Sequence, residues 1–188
     1  MSVNILGQEY DINITTILDL SYKNLTEIPE SIGMLSNLKR LDLAHNELTT
    51  LPESIGMLSN LEVLSLRMNN LTNLPESIGM LSKLEELYLQ YNNLIDITES
   101  IGSLPNLQVL YLDNNKLIAI NESLTKIKAL WLDESSYDFL NFNYNIMILT
   151  YNKSNIINLP LIIKKLYLRN GITVDMIKLQ GGCDIIRF

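Results

Sequence analysis

The chain has 188 residues, 47% of them hydrophobic, with 14 Lys/Arg against 21 Asp/Glu and a formal net charge of −7. Such a length and apolar content suit a folded domain with a sizeable core and argue against disorder. The acidic balance argues against a dedicated nucleic-acid binder.

In chain order, residues 3–12 alternate weakly about Gly7-Gln8, with Val3, Ile5 and Leu6 before it and Tyr10 and Ile12 after. This predicts a short hairpin, and residues 1–14 are read as an N-terminal cap over the first of a series of repeats. The N-terminus, MSVNILGQEYD, has neither the basic nor the long apolar region of a signal peptide. No apolar run approaches the roughly 18 residues of a membrane-spanning helix.

From residue 15 onward one phrase returns every 23 residues: Ile28–Asn37 reads IPESIGMLSN, Leu51–Asn60 LPESIGMLSN, Leu74–Lys83 LPESIGMLSK and Ile97–Asn106 ITESIGSLPN. Between these lie leucines at 38, 41 and 43, then Asn46 and Leu48, and the frame recurs from Leu61, Leu84 and Leu107. The first copy, Thr15–Leu18–Leu20–Leu25, is divergent, with Lys23 in the asparagine place. In each LxL the leucines face inward and the residue between them outward, as on any strand. One such strand cannot bury its leucines alone, so stacked copies are expected to form a parallel sheet over a shared core.

Asn46, Asn69, Asn92 and Asn115 fall where the chain leaves the strand. They are read as a structural ladder of buried amides, the loss of one costing roughly 1–3 kcal/mol. In the PESIG phrase, Pro52 suits a first helical position and Glu53 a helix N-terminus. Ile55 and Leu58 share an inward face, and Gly56 limits the element to a short helix or 3₁₀ turn. Met34, Met57 and Met80 recur because the copies do.

After Leu117 the period breaks. Leu130-Trp131-Leu132, Leu149-Thr150-Tyr151 and Leu166-Tyr167-Leu168 are read as shortened copies, with Ser135, Ser154 and Gly171 replacing the asparagines. A separate C-terminal unit starting near Phe139 is the alternative. The division is thus one domain: cap 1–14, regular repeats 15–126, shortened repeats 127–180 and tail 181–188. The tail either folds back over the last copy or leaves an edge open to weak self-association. Residues 1–145 hold 8 Lys/Arg and 19 Asp/Glu, whereas residues 146–188 hold 6 and 2, so the charge reverses along the chain.

The period and the pattern LxxLxLxxNxL are the signature of a leucine-rich repeat solenoid. With LPESIG following LxLxxNxLTxL, the sequence resembles cytoplasmic leucine-rich repeat proteins of the plant intracellular Ras-group-related and Scribble-like kinds. The resemblance covers Thr15–Ile120 well and 121–180 loosely. It implies an α/β solenoid, curved, with a parallel β-sheet on the concave face and short helices or 3₁₀ turns on the convex face. It implies protein binding without catalysis. Extracellular relatives often carry disulfide-bonded caps, which the single Cys183 cannot build, so a reducing, cytoplasmic setting is expected. The sequons at Asn13, Asn24 and Asn70 match by the abundance of Asn and of Thr after the repeat leucine.

The chain carries no GxGxxG or P-loop phrase, one histidine (His45, read as an exposed surface residue) and no calcium-loop spacing. No cofactor, metal or catalytic residue is assigned. The outward row runs Asp19, Asp42, Ser65, Tyr88, Tyr111, Trp131, Thr150, Tyr167. Neighbouring strands are about 4.8 Å apart, so Tyr88, Tyr111 and Trp131 are expected in one solvent-facing aromatic row. Aromatics ringed by polar groups mark interaction hot spots, although aromatics also simply suit strands. The expected protein-binding set is Tyr88, Tyr91, Tyr111, Asp113, Trp131, Asp133 and Arg67. The function read from it is a non-catalytic protein-interaction module, with no nucleic-acid or membrane partner. The alternatives are the substrate-recognition domain of a larger enzyme or effector system, and a self-associating structural protein.

Overall fold

A computed structural model describes residues 1–117 and Leu124 with their side chains, and beyond them the backbone of strands 129–132, 147–149, 155–156, 165–168, 173–174 and 184–187. Strands β1 (Ser2–Ile5) and β2 (Gln8–Asp11) pair antiparallel. Their two-residue loop is Leu6-Gly7, both at positive φ (53° and 84°), the geometry that matches strand twist in a tight hairpin. The turn therefore falls one residue before the expected Gly7-Gln8. Val3 and Ile5 are buried with the core, whereas Leu6 is exposed. The hairpin is bound to the first repeats by Ser31 Oγ donating to the Asn4 carbonyl and Asn37 Nδ2 donating to the Asn13 carbonyl.

Each copy then contributes one three-residue strand: β3 (Ile17–Asp19), β4 (Arg40–Asp42), β5 (Val63–Ser65), β6 (Glu86–Tyr88) and β7 (Val109–Tyr111). With β8 (Ala129–Leu132) and β9 (Met147–Leu149) they form a seven-stranded parallel sheet in sequence order. The register places Leu18, Leu41, Leu64, Leu87 and Leu110 side by side. The last four of these are completely buried. Behind them one copy's Ile55, Leu58, Leu61, Leu66 and Leu71 are equally closed to solvent. At roughly 1.5–3 kcal/mol per buried leucine-sized side chain, this continuous column is the main stabilising term.

The turn face is built from 3₁₀ segments at Glu30–Met34, Glu53–Met57 and Glu76–Met80. Pro29, Pro52 and Pro75 stand just before them as caps in extended conformation, not at the first helical position expected. In the fourth copy Thr98 replaces the proline. Its hydroxyl accepts the Ser100 N–H, and the segment becomes the one-turn α-helix α1 (Glu99–Gly102).

Gly33, Gly56 and Gly79 have ordinary φ, so their role is space. A Cβ on Gly33 would lie 2.6 Å from the Ser54 carbonyl oxygen, and one on Gly56 would lie 2.8 Å from Ser77 Cβ. The glycine thus lets each turn approach the next. Glu30 adds a further bond between copies by accepting the Ser54 N–H at 3.0 Å.

The C-terminal elements depart from the expected pattern. The strand paired with β8 is Met147–Leu149, with Leu130 opposite Met147 and Leu132 opposite Leu149. It is not Leu149-Thr150-Tyr151, because this frame sets apolar residues opposite the two leucines of β8. Strand β11 (Lys165–Leu168) does not extend the main sheet; it pairs in parallel with β13 (Asp184–Arg187), so the tail folds back onto the last LxL copy. Strands β10 (Asn155–Ile156) and β12 (Thr173–Val174) form another parallel pair. Ser135, Thr150, Ser154, Gly171 and Cys183 lie outside the described residues. Among the described residues, no helix is long and apolar enough to cross a membrane.

Candidate functional site

The outward face of the sheet is organised by the ladder behind it. Asn46 donates from Nδ2 to the carbonyls of Leu20 and Leu43 (2.9 Å each) and accepts the N–H groups of Lys23 and Leu25 at 3.0 Å. Asn69 and Asn92 make the same two donations one and two copies further along, with one N–H accepted by each, from Leu48 and Leu71, and Asn115 accepts the Leu94 N–H and donates to Leu89 and Leu112. All four side chains are buried. Each asparagine ties its own turn to the preceding copy, so the outward side chains are carried on a rigid base.

Just before each asparagine, and before Lys23 in its place in the first copy, comes a residue at positive φ: Tyr22, His45, Met68, Tyr91 and Asn114, between 56° and 58°. This left-handed step is uncommon for non-glycine residues, and it allows the residue's N–H to bond the next copy, as His45 does to Arg67 and Tyr91 to Asp113. These residues line one rim of the sheet. Tyr22 and His45 stack there at 4.0 Å between ring centroids and 15° between planes. His45 is therefore half-buried under an aromatic ring, a correction to its reading as an exposed surface residue. The pattern alone gave no signal for this rim.

In the central row Tyr88 and Tyr111 stack with centroids 4.9 Å apart and planes at 11°. Both are half-buried, not fully solvent-facing as expected, because strand register sets each ring against the other. The Tyr88 hydroxyl donates to Glu86 Oε2 at 2.6 Å. Burial, and then that bond to a carboxylate, push the Tyr88 phenol up to about 12, so it remains a neutral donor at physiological pH. The β7–β8 register places Trp131 opposite Tyr111. Ser65, expected to face solvent, is only 5% exposed, overshadowed by larger neighbours in its row.

A model of the leucine-rich repeat region matches residues 16–132. The chain belongs to the leucine-rich repeat proteins. No curated protein matches the sequence. Solved structures of the family do. The ectodomain of the Arabidopsis thaliana receptor kinase GASSHO1/SCHENGEN3, in complex with CASPARIAN STRIP INTEGRITY FACTOR 2, is 28% identical with a TM-score of 0.59, covering 86% of this chain and 22% of that one. A leucine-rich repeat protein of Leptospira interrogans is 24% identical with a TM-score of 0.55, covering 92% and 65%. YopM of Yersinia enterocolitica is 22% identical with a TM-score of 0.58, covering 86% and 37%. The chain thus spans less than two thirds of each of these three proteins. The last two likenesses concern the fold alone. Leucine-rich repeat domains are in general protein-interaction modules, and the α/β solenoid with its parallel sheet and 3₁₀ turns is shared.

On this leucine-rich repeat frame the residues picked from sequence divide into groups. Tyr88 and Tyr111 are in direct contact, and Trp131 shares their register. Tyr91 is on the rim, 48% exposed, and Asp113 is half-buried with its carbonyl accepting the Tyr91 N–H. Arg67 is exposed and lines a groove with Arg40, Asp42, Ser65, Tyr88 and Gln90. Asp133 lies outside the described residues. The sequence reading missed Arg40 and Glu86: both precede the first strand leucine, whereas that reading took the row between the two leucines and residues that follow the strand.

Proposed function

We propose that the chain is a non-catalytic protein-binding module whose partner docks across the sheet face, concave in this family, anchored on Tyr88 and Tyr111 and continuing towards Trp131. The observation that carries this reading is the stacked tyrosine pair. Two large aromatic rings, half-exposed and held rigid by strand register, lose little conformational freedom on binding and offer much contact area. Around them the outward residues differ from copy to copy while the leucines behind do not, so the surface can be specific without disturbing the core. The lone cysteine and the resemblance to intracellular Ras-group-related and Scribble-like proteins support a cytoplasmic scaffold role.

Affinity capture with three baits tests this: the unaltered chain, Tyr111→Ala and the turn-face variant Glu53→Lys. A partner retained by Glu53→Lys and weakened at least about tenfold by Tyr111→Ala is expected, since removing a central aromatic anchor costs about 2 kcal/mol. The reverse pattern puts the site on the turn face and overturns the reading.

A further inference from the structure

The outward row changes character at Ser65. Asp19 and Asp42 precede it, and Tyr88 and Tyr111 follow. Because Ser65 is small and set low, the row dips there into the groove of about 250 Å³ already described. Pockets for drug-sized molecules begin at roughly 300 Å³, so this one is of a size for a single side chain.

Its charges are unevenly matched. Arg40 and Arg67 both line the groove, and the only carboxylate lining it is Asp42. Asp42 Oδ1 accepts the Ala44 N–H at 3.0 Å, and Oδ2 lies 3.9 Å from Arg40 Nη2, at the limit of ion pairing. Arg67 has no ion-pair partner among the described residues. Asp19, next to Asp42 in the row, feels the Arg40 charge but is held by the Ser21 N–H and hydroxyl, and Glu86 is engaged by the Tyr88 hydroxyl. In a chain of net charge −7, two guanidinium groups are thus left facing one hollow. The hollow's third side is the Tyr88 ring, backed by Tyr111.

Resting on the sheet-face reading above, we propose that this groove is an acidic-residue subsite: it takes the carboxylate of a partner's aspartate or glutamate side chain between Arg40 and Arg67, with the apolar stem against the Tyr88 ring. Guanidinium groups suit this task because their planar donors match both carboxylate oxygens. The aromatic wall suits the methylene stem.

The subsite is tested by NMR titration of the full ¹⁵N-labelled chain with two capped peptides, acetyl-Gly-Glu-Gly-amide and acetyl-Gly-Gln-Gly-amide, which differ in charge but hardly in shape. The Glu peptide is expected to move the Ser65, Arg67 and Gln90 amides and to bind at least about threefold tighter than the Gln peptide, as for an exposed charge pair. Combining Arg40→Gln with Arg67→Gln should abolish that preference, and so should an ionic strength of about 1 M, where the screening length is near 3 Å. Arg67→Lys should retain part of it, which separates loss of charge from loss of fold. Equal responses to both peptides at these amides overturn the subsite but leave the sheet face standing as a binding surface. Shifts confined to turn-face amides such as Glu53 count against both. Silence of the amides with either peptide overturns the subsite, while the sheet-face reading is still decided by the Tyr111→Ala capture.

Discussion

The two faces of the repeat obey different constraints. On the turn face the letters ESIGM recur unchanged at Glu30–Met34, Glu53–Met57 and Glu76–Met80. On the sheet face the outward residue runs Asp19, Asp42, Ser65, Tyr88, Tyr111. The turn face repeats because its atoms touch the next copy: glycine lies against serine, and glutamate bonds a neighbouring N–H. On the sheet face, contact between copies is made by backbone and leucines, so the outward side chain is constrained only by its row. Uniformity marks where the copies are joined, and variety marks where side chains are free to differ, the face proposed above for a partner.

The largest effect is expected where a single side chain joins copies in the interior. Asn69→Ala strips the Leu48 N–H of its acceptor, whereas the Leu43 and Leu66 carbonyls lose one donor each and keep Asn46 and Asn92. With one buried N–H left unsatisfied and two further hydrogen bonds lost, a loss of about 2–3 kcal/mol, the upper part of the cost of an unpaired buried group, is expected in denaturant unfolding. A loss below about 1 kcal/mol would show that the ladder can be rewired by its neighbours. Next comes Gly56→Ala, which drives a methyl group into Ser77. Overpacking of this kind costs about 1–3 kcal/mol. Glycine to alanine at a site of ordinary φ would otherwise stabilise, so the sign of the measured change alone decides whether the close approach is real.

Much of this was legible in the letters, for definite reasons. The LxL spacing specifies which residues share a strand face, and the 23-residue period specifies which strands become neighbours, so Tyr88 and Tyr111 could be paired before any coordinates. The ladder asparagines were legible because their place at the strand exit has few other uses. What was hidden depends on contacts between copies or on backbone that no letter announces. Gly56 read as a helix limit, whereas its neighbour Ser77 is what requires it. The left-handed rim shows no glycine; Tyr22, His45 and Met68 gave no hint of positive φ. The groove at Ser65 arises from differences in size along the row, and Arg40 enters it from outside the row that was read. Beyond Leu117 the loss of period removed the frame, and the strand expected at Leu149 was displaced two residues towards the N-terminus.

On the sheet face, intermediate effects should separate binding from folding. Tyr111→Ala should weaken a partner at least about tenfold while costing about 1 kcal/mol of stability through the lost stack with Tyr88, as measured by thermal unfolding. Tyr88 adds a pH test. Its folded phenol is raised to about 12 against about 10 in an unfolded chain. The stability this confers is complete below pH 10 and is lost as pH rises from 10 to 12. Alkaline unfolding followed by circular dichroism should therefore begin at lower pH in the unaltered chain than its core alone would require, and Tyr88→Phe should lose that step. An unchanged profile in Tyr88→Phe would mean the phenol ionises without reference to its burial or to Glu86.

The smallest effect is expected where copies meet in solvent. Lys39 Nζ and Glu62 lie 2.9 Å apart on adjacent repeats, with side chains 56% and 42% exposed. The spacing is 23 residues, so this contact bridges the same two copies that the interior bonds join. It differs from the asparagine ladder in its surroundings. Water competes for both charges, and ordering two long side chains offsets much of the attraction, leaving about 0.2–1 kcal/mol for such a pair. The backbone also joins these copies at the same point, since the Glu62 and Val63 N–H groups both donate to the Lys39 carbonyl. Glu62→Gln should therefore shift the unfolding midpoint by no more than a few degrees, and that shift should shrink further in high salt. A loss approaching that of Asn69→Ala would mean that solvent-exposed contacts between copies rival buried ones, and the contrast between joined interior and free surface would fail.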